Sequence, residues 1–123
     1  MRLPVRRAAE VCPVEVAVSI LGGTWKLTLV KHLTAGPLRF GQLGRRVPAA
    51  NRKTLTRALR ELEEDGVVHR DVHAEVPPRV EYSLTALGGT LAPIVEAMDS
   101  WGADYAARLA ADPLQGRGSS RSA

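Results

Sequence analysis

The sequence of 123 residues has room for one domain, which excludes a two-domain enzyme built round a cofactor fold. With 45% hydrophobic and 24% charged residues, it has the balance of a soluble chain with a single packed core. Seventeen Lys and Arg against thirteen Asp and Glu leave a charge of +4, which leans towards a polyanionic partner. The few aromatic residues (Trp25, Phe40, Tyr82, Trp101 and Tyr105) argue against a platform that stacks single-stranded bases.

A single cysteine, Cys12, rules out an intrachain disulfide and a cysteine-cluster zinc site, and it fits a reducing compartment. Arg2, Arg6 and Arg7 are followed by Glu10 and Glu15, not by the apolar run of an export signal. No apolar stretch approaches the length of a membrane span. A cytoplasmic protein with no membrane partner is the expectation.

Residues 1–11 read as a flexible leader, 12–111 as the folded domain and 112–123 (DPLQGRGSSRSA) as a disordered tail. Pro13 opens a helix with Val14, Val18 and Leu21 at helical spacing, and Gly22-Gly23 ends it. Thr24 is the expected N-cap of the next helix, which carries Trp25, Leu29 and Leu33 on one face before Gly36-Pro37. Phe40, Leu43 and Val47 predict a short helix closed by Pro48. Asn51 then caps a stronger helix with Leu55, Leu59 and Leu62 in one stripe and Gly66 as its left-handed stop.

From Val67 the pattern alternates. Val68, Arg70 and Val72 share one side, as do Val80, Tyr82 and Leu84 on the return run, so a hairpin is predicted. Its tip, 73–79, holds Pro77-Pro78, which cannot join a central ladder. Thr85 caps a last helix in which Leu87, Leu91, Ile94, Met98, Trp101 and Tyr105 recur at steps of four and three, with Pro93 expected to bend or divide it.

Two helices joined by a short turn and followed by a hairpin give a mainly α, α+β fold. It is a winged helix-turn-helix with a two-stranded wing and flanking dimerisation helices. Charge supports it: between Arg39 and Arg60 there are seven basic residues and no acid, and the next five residues include Glu61, Glu63, Glu64 and Asp65. At about 100° per residue, Lys53, Arg57 and Arg60 fall opposite Leu55, with Thr56 at the edge. Basic, outward first turns suit the major groove of double-stranded DNA, and the free amides beside Asn51 suit a phosphate. A plainer reading pairs Arg57 with Glu61 and Arg60 with Glu64 as surface bridges, but it leaves Arg52 and Lys53 unexplained. The candidate DNA contacts are therefore Asn51, Arg52, Lys53, Thr56, Arg57 and Arg60 on the recognition helix, Arg79 and His73 on the wing, and Arg39 and Arg45 towards the backbone. For His73 a solvated loop position is the favoured alternative.

The runs CPVEVAVSILGGTWKL (12–27), LRFGQLGRRVP (38–48), LTRALRELEEDGVVHR (55–70) and EVPPRVEYSLTALG (75–88), in this order, closely resemble the HxlR-type, MarR-like family of bacterial winged-helix transcriptional regulators. The resemblance runs from Cys12 to about Tyr105. It implies a homodimer on an inverted repeat, with Asn51 to Arg57 opening the recognition helix and Arg79 as the basic residue of a Pro-Pro-Arg wing. Asn51 departs from the pattern, which more often has Ser there; both residues cap helices well.

Leu87, Leu91, Ile94, Met98, Trp101 and Tyr105 are the expected dimer seam, held mainly on the resemblance; the alternative is that the first helix of the same chain covers them. Cys12 stands where a helix dipole lowers a thiol's pKa, and members of the resembled family sense oxidants or electrophiles with a cysteine here. A small packing residue is an equally open reading of it. A repressor is expected, and a small-molecule inducer in apolar space near Trp25 and Trp101 is compatible with DNA binding. The competing function is a winged-helix module that binds protein and has no DNA target. His69, Asp71 and His73 alternate on one strand, but no further ligand supports a metal site. Neither an enzyme nor a cofactor is expected.

Overall fold

The computed structural model describes residues 1–111, so the predicted tail lies outside the described residues. The chain divides into two units, residues 1–92 and a second beginning at Pro93.

The N-terminus departs from expectation. Leu3–Ala8 forms a helix, α1, with Pro4 in its first turn, where the missing N–H leaves no bond unmade. Val5 is 1% exposed, so the supposed leader is anchored to the body. Helix α2 spans Pro13–Leu21, with Cys12 extended just before it. Only Leu21 of its predicted stripe is buried; Val14 and Val18 face solvent. The next turn also differs from the sequence reading. Gly23 (φ 114°) and Trp25 (φ 73°) both enter the left-handed region, so Thr24 lies inside the turn and Trp25 precedes α3, Lys26–Leu33, which has no side-chain cap. Glycine tolerates that conformation freely, whereas a tryptophan rarely adopts it.

Leu38–Arg39 is a two-residue strand, β1, leading into α4, Phe40–Arg46; the Arg39 amide donates to Gln42 Oε1 at 2.8 Å. Helix α5 spans Arg52–Glu64, and Asn51 caps it by accepting the Thr54 amide at 2.8 Å. Gly66 (φ 79°) reverses the chain into β2, Val68–His73, which pairs antiparallel with β3, Arg79–Leu84, from Val68↔Leu84 to His73↔Arg79. β1 pairs on the other side of β3, giving the order β1-β3-β2, so the expected two-stranded wing has a third strand at its base. Thr85 caps α6, Ala86–Gly89, by accepting the Gly88 amide at 3.0 Å.

The core of this unit is aliphatic, as composition required. Leu29, Val30 and Leu33 of α3, Leu43 of α4, Leu55, Leu59 and Leu62 of α5, and Val67 and Val68 at the start of the hairpin are buried together. Each helix contributes one stripe, and burying a stripe of this kind is what stabilises helices too short to stand alone in water.

The predicted last helix is divided ahead of Pro93: α6 ends at Gly89 and α7 runs Ala92–Ala111. In α7, Trp101 and Tyr105 stack with centroids 5.4 Å apart and planes 18° apart. Ile94, Met98, Trp101 and Tyr105 are exposed, Trp101 at 69%.

Candidate nucleic-acid interface

The helix α5 is sharply two-sided. Leu55, Ala58, Leu59 and Leu62 are buried, while Asn51, Arg52, Lys53, Thr56, Arg57 and Arg60 are all exposed. Five of the six, from Arg52 to Arg60, line one open groove of about 550 Å³. Arg52 is positioned by the neighbouring helix: its guanidinium carbon lies 5.0 Å from the centre of the Phe40 ring, so the first residue of α5 stacks on the first residue of α4.

Two acids at the end of α5, Glu61 and Asp65, are engaged by partners from elsewhere in the chain. Lys26, 4% exposed, reaches Glu61 with Nζ 2.6 Å from Oε1. Arg2 spans from the N-terminus to the same end of α5. Its backbone amide and Nε donate to Asp65 at 3.1 and 2.8 Å, Nη2 donates to the Ser19 carbonyl at 2.7 Å, and Nη1 lies 3.6 Å from Glu61. Asp65 is buried, and its charge is tolerable only because these bonds satisfy it. The Lys26 hydrogen bond holds the Glu61 carboxyl below the usual carboxylate range, more than partial burial raises it, and the charges of Lys26, Arg2 and Arg57 act in the same direction as the bond.

This network corrects the expected surface pairing. Arg60 does meet Glu64, at 3.8 Å and well exposed, but Glu61 is bound by Lys26 and Arg2, and Arg57 is left facing a polar cavity of about 230 Å³ beside Thr24, Lys26 and Thr54. Arg70 on β2 approaches Glu63 at 3.6 Å. Lys26 and Arg2 were not singled out from the sequence, since their partners are distant along the chain.

On the wing, Arg79 and Arg39 line one cleft of about 420 Å³ with Phe40, Gly41 and the tip residues Glu75 to Val80. Arg79 is not a free cation: Nε and Nη2 donate to the two oxygens of Glu75 at 3.2 Å each, and Nη1 lies 3.3 Å from Glu81. His73 is not merely solvated either, with Nε2 2.8 Å from Glu81 and 3.4 Å from Asp71. Arg45 is exposed in the last turn of α4.

Cys12 is half-buried, the only thiol in the chain. An apolar groove of about 230 Å³ lies along α2, lined by Pro13, Val16, Ala17, Ile20 and Leu21 with Val67, Leu87, Thr90 and Leu91; neither tryptophan lines it. Among the described residues no single helix is long and apolar enough to cross a membrane.

Comparison with known proteins agrees with this architecture. The HxlR-like helix-turn-helix family matches residues 20–110. The chain is 48% identical over 100 residues to the HTH-type transcriptional regulator YdeP of Bacillus subtilis, covering 81% of this chain and 78% of that one. Among solved structures, the redox regulator HypR in its reduced form superposes with a TM-score of 0.77 at 46% identity, over 82% of this chain and all of that one (100%). The reduced form of the transcriptional regulator YodB from B. subtilis gives 0.66 at 36% identity, over 73% and 89%. A winged helix-turn-helix with a cationic, solvent-facing α5, matched in sequence and shape by regulators of this type, belongs to the HxlR-like helix-turn-helix family of DNA-binding transcriptional regulators.

Proposed function

We propose that the protein represses transcription as a homodimer that sets the two copies of α5 into successive major grooves of an inverted repeat, with the hairpin beside each. The observation that carries this is the exposed cluster Arg52, Lys53, Thr56 and Arg57 at a capped helix start, on the face of α5 opposite its buried leucines. Twofold symmetry would space the two helices by about 34–36 Å. The exposed apolar residues of α7, and separately Leu87 beside the α2 groove, supply the contact surface of a second copy. A cytoplasmic setting follows from DNA as the partner.

Replacing Arg52 and Lys53 by Ala tests the assignment. Binding to duplex should weaken while light scattering still reports the same oligomer, and unchanged affinity would remove α5 from the interface. With about six phosphates neutralised, affinity should fall with salt at a log–log slope near −5. A flat salt response would favour the protein-binding alternative.

Control of the repressor is assigned to Cys12. The thiol is partly accessible at the start of α2, and two structural neighbours are named as a redox regulator and as the reduced form of a regulator. A DNA-binding loss on oxidant treatment that persists in Cys12→Ser would exclude it. The apolar α2 groove is the place for a small inducer, and candidate ligands can be screened by their effect on duplex affinity.

A further inference from the structure

The wing presents a conflict of charge. Its strands and tip carry Asp71, Glu75 and Glu81, and two of these acids, Glu75 and Glu81, hold Arg79, the one arginine at the tip. Arg70, the other arginine on the hairpin, approaches Glu63 of α5. A hairpin so constituted repels the phosphates it lies beside unless Arg79 changes partners.

The geometry of that exchange is specific. A guanidinium recognises phosphate best through the fork of Nε and one Nη, two parallel donors matched to two oxygens. In Arg79 that fork is filled by Glu75, at 3.2 Å on both sides, while Glu81 takes the remaining edge at 3.3 Å. Glu81 is held in turn by His73 at 2.8 Å, so withdrawing it from Arg79 also breaks that contact. Glu75 lies in the exposed connection beyond β2, half open to solvent, and can swing away. An exposed pair of this kind is worth a factor of about two to five in population.

We propose that Glu75 is a latch on Arg79: its carboxylate competes with a DNA phosphate for the guanidinium fork. The wing is therefore biased, by that same factor, towards engaging where α5 already holds the duplex in place. Glu75 is then a specificity-determining residue that weakens indiscriminate binding. The proposal rests on the DNA-binding reading of α5 and adds to it a residue of opposite charge with a defined role.

The test is a cycle of Glu75→Gln, Arg79→Ala and the double variant, with fluorescence anisotropy on a labelled duplex of random sequence across a salt series. Glu75→Gln should bind about threefold tighter than the parent, and its log–log salt slope should steepen, by at most about 0.9 for one full phosphate contact. In the Arg79→Ala background the same substitution should leave affinity and slope unchanged. Equal tightening in both backgrounds would show simple removal of a negative charge and overturn the latch, as would no tightening at all. Failure of the latch alone leaves the parent's binding sensitive to Arg52 and Lys53; loss of that sensitivity overturns the α5 reading and the latch with it. Glu75 supports no buried group, so the thermal midpoint of Glu75→Gln should match the parent and certify the fold.

Discussion

Replacing Asp65 by Ala removes the acceptor of two Arg2 hydrogen bonds, at 3.1 and 2.8 Å, from a side chain with no solvent exposure. Hydrogen bonds to charged groups contribute roughly 1.5–3 kcal/mol each, so breaking both in place would cost about 3–6 kcal/mol. The chain has an easier escape. Helix α1 can leave the body, which exposes the buried Val5 side chain at a cost of about 1.5–3 kcal/mol and lets Arg2 return to water. The easier route sets the ceiling, so Asp65→Ala should cost about 2–3 kcal/mol. Arg2→Ala should cost a similar amount, and the double variant little more than the worse single change, because all three release the same segment. Urea unfolding followed by circular dichroism reads this as a lower midpoint, by roughly 1–2 M for a chain of this size. Single losses under about 0.5 kcal/mol, or a double variant with the sum of both, would refute the brace between the N-terminus and α5.

Three further outcomes follow from the same structure. Asn51→Ala removes the acceptor of the Thr54 amide and should destabilise by about 1 kcal/mol in thermal unfolding, whereas Asn51→Ser should restore most of it. Gly88→Ala should destabilise by roughly 1–3 kcal/mol, because the added Cβ would overlap the Val67 carbonyl and press on Leu84; a wild-type melting curve would contradict that packing. The lowered carboxyl pKa of Glu61 means that its contribution is fully present above the ordinary glutamate range, near 4.3, and is lost as pH falls through the depressed value. Glu61→Gln should flatten that part of the stability–pH profile, and an unchanged acid slope would show that Glu61 does not supply it.

The elements that were legible in the sequence are those with a local signature. Asn51 and Gly66 bracket α5, Leu55, Leu59 and Leu62 fix its inner face, and the alternation about Val68 and Val80 gives the hairpin, each signal lying within a few residues of what it specifies. The inward stripe also fixed which cations face out. What escaped has no such signature. β1 is two residues long, below any periodicity, and exists because β3 offers it an edge. Leu3–Ala8 shows only one inward residue, Val5, and is held by a pairing of Arg2 with a residue 63 positions away. Glu61 illustrates the same rule: its neighbour Arg57 was the local partner, and Lys26, distant in sequence and buried beside it, took the carboxylate. The left-handed Trp25 in place of a Thr24 cap has no local signature either, since a bulky residue rarely adopts that conformation.

The pairing of Glu61, Glu63 and Asp65 with Lys26, Arg70 and Arg2 has a consequence for how the protein meets its target. Seen from several ångströms away, the negative half of α5 is largely cancelled while Arg52, Lys53 and Arg57 are not, so the field that reaches out through solvent resembles that of the cationic turns alone. A protein diffusing towards a polyelectrolyte is therefore rotated by torque before any surfaces touch, and it arrives with the correct end leading. Capture should be fast in dilute buffer and slow markedly once the Debye length shrinks below the gap between the approaching molecules.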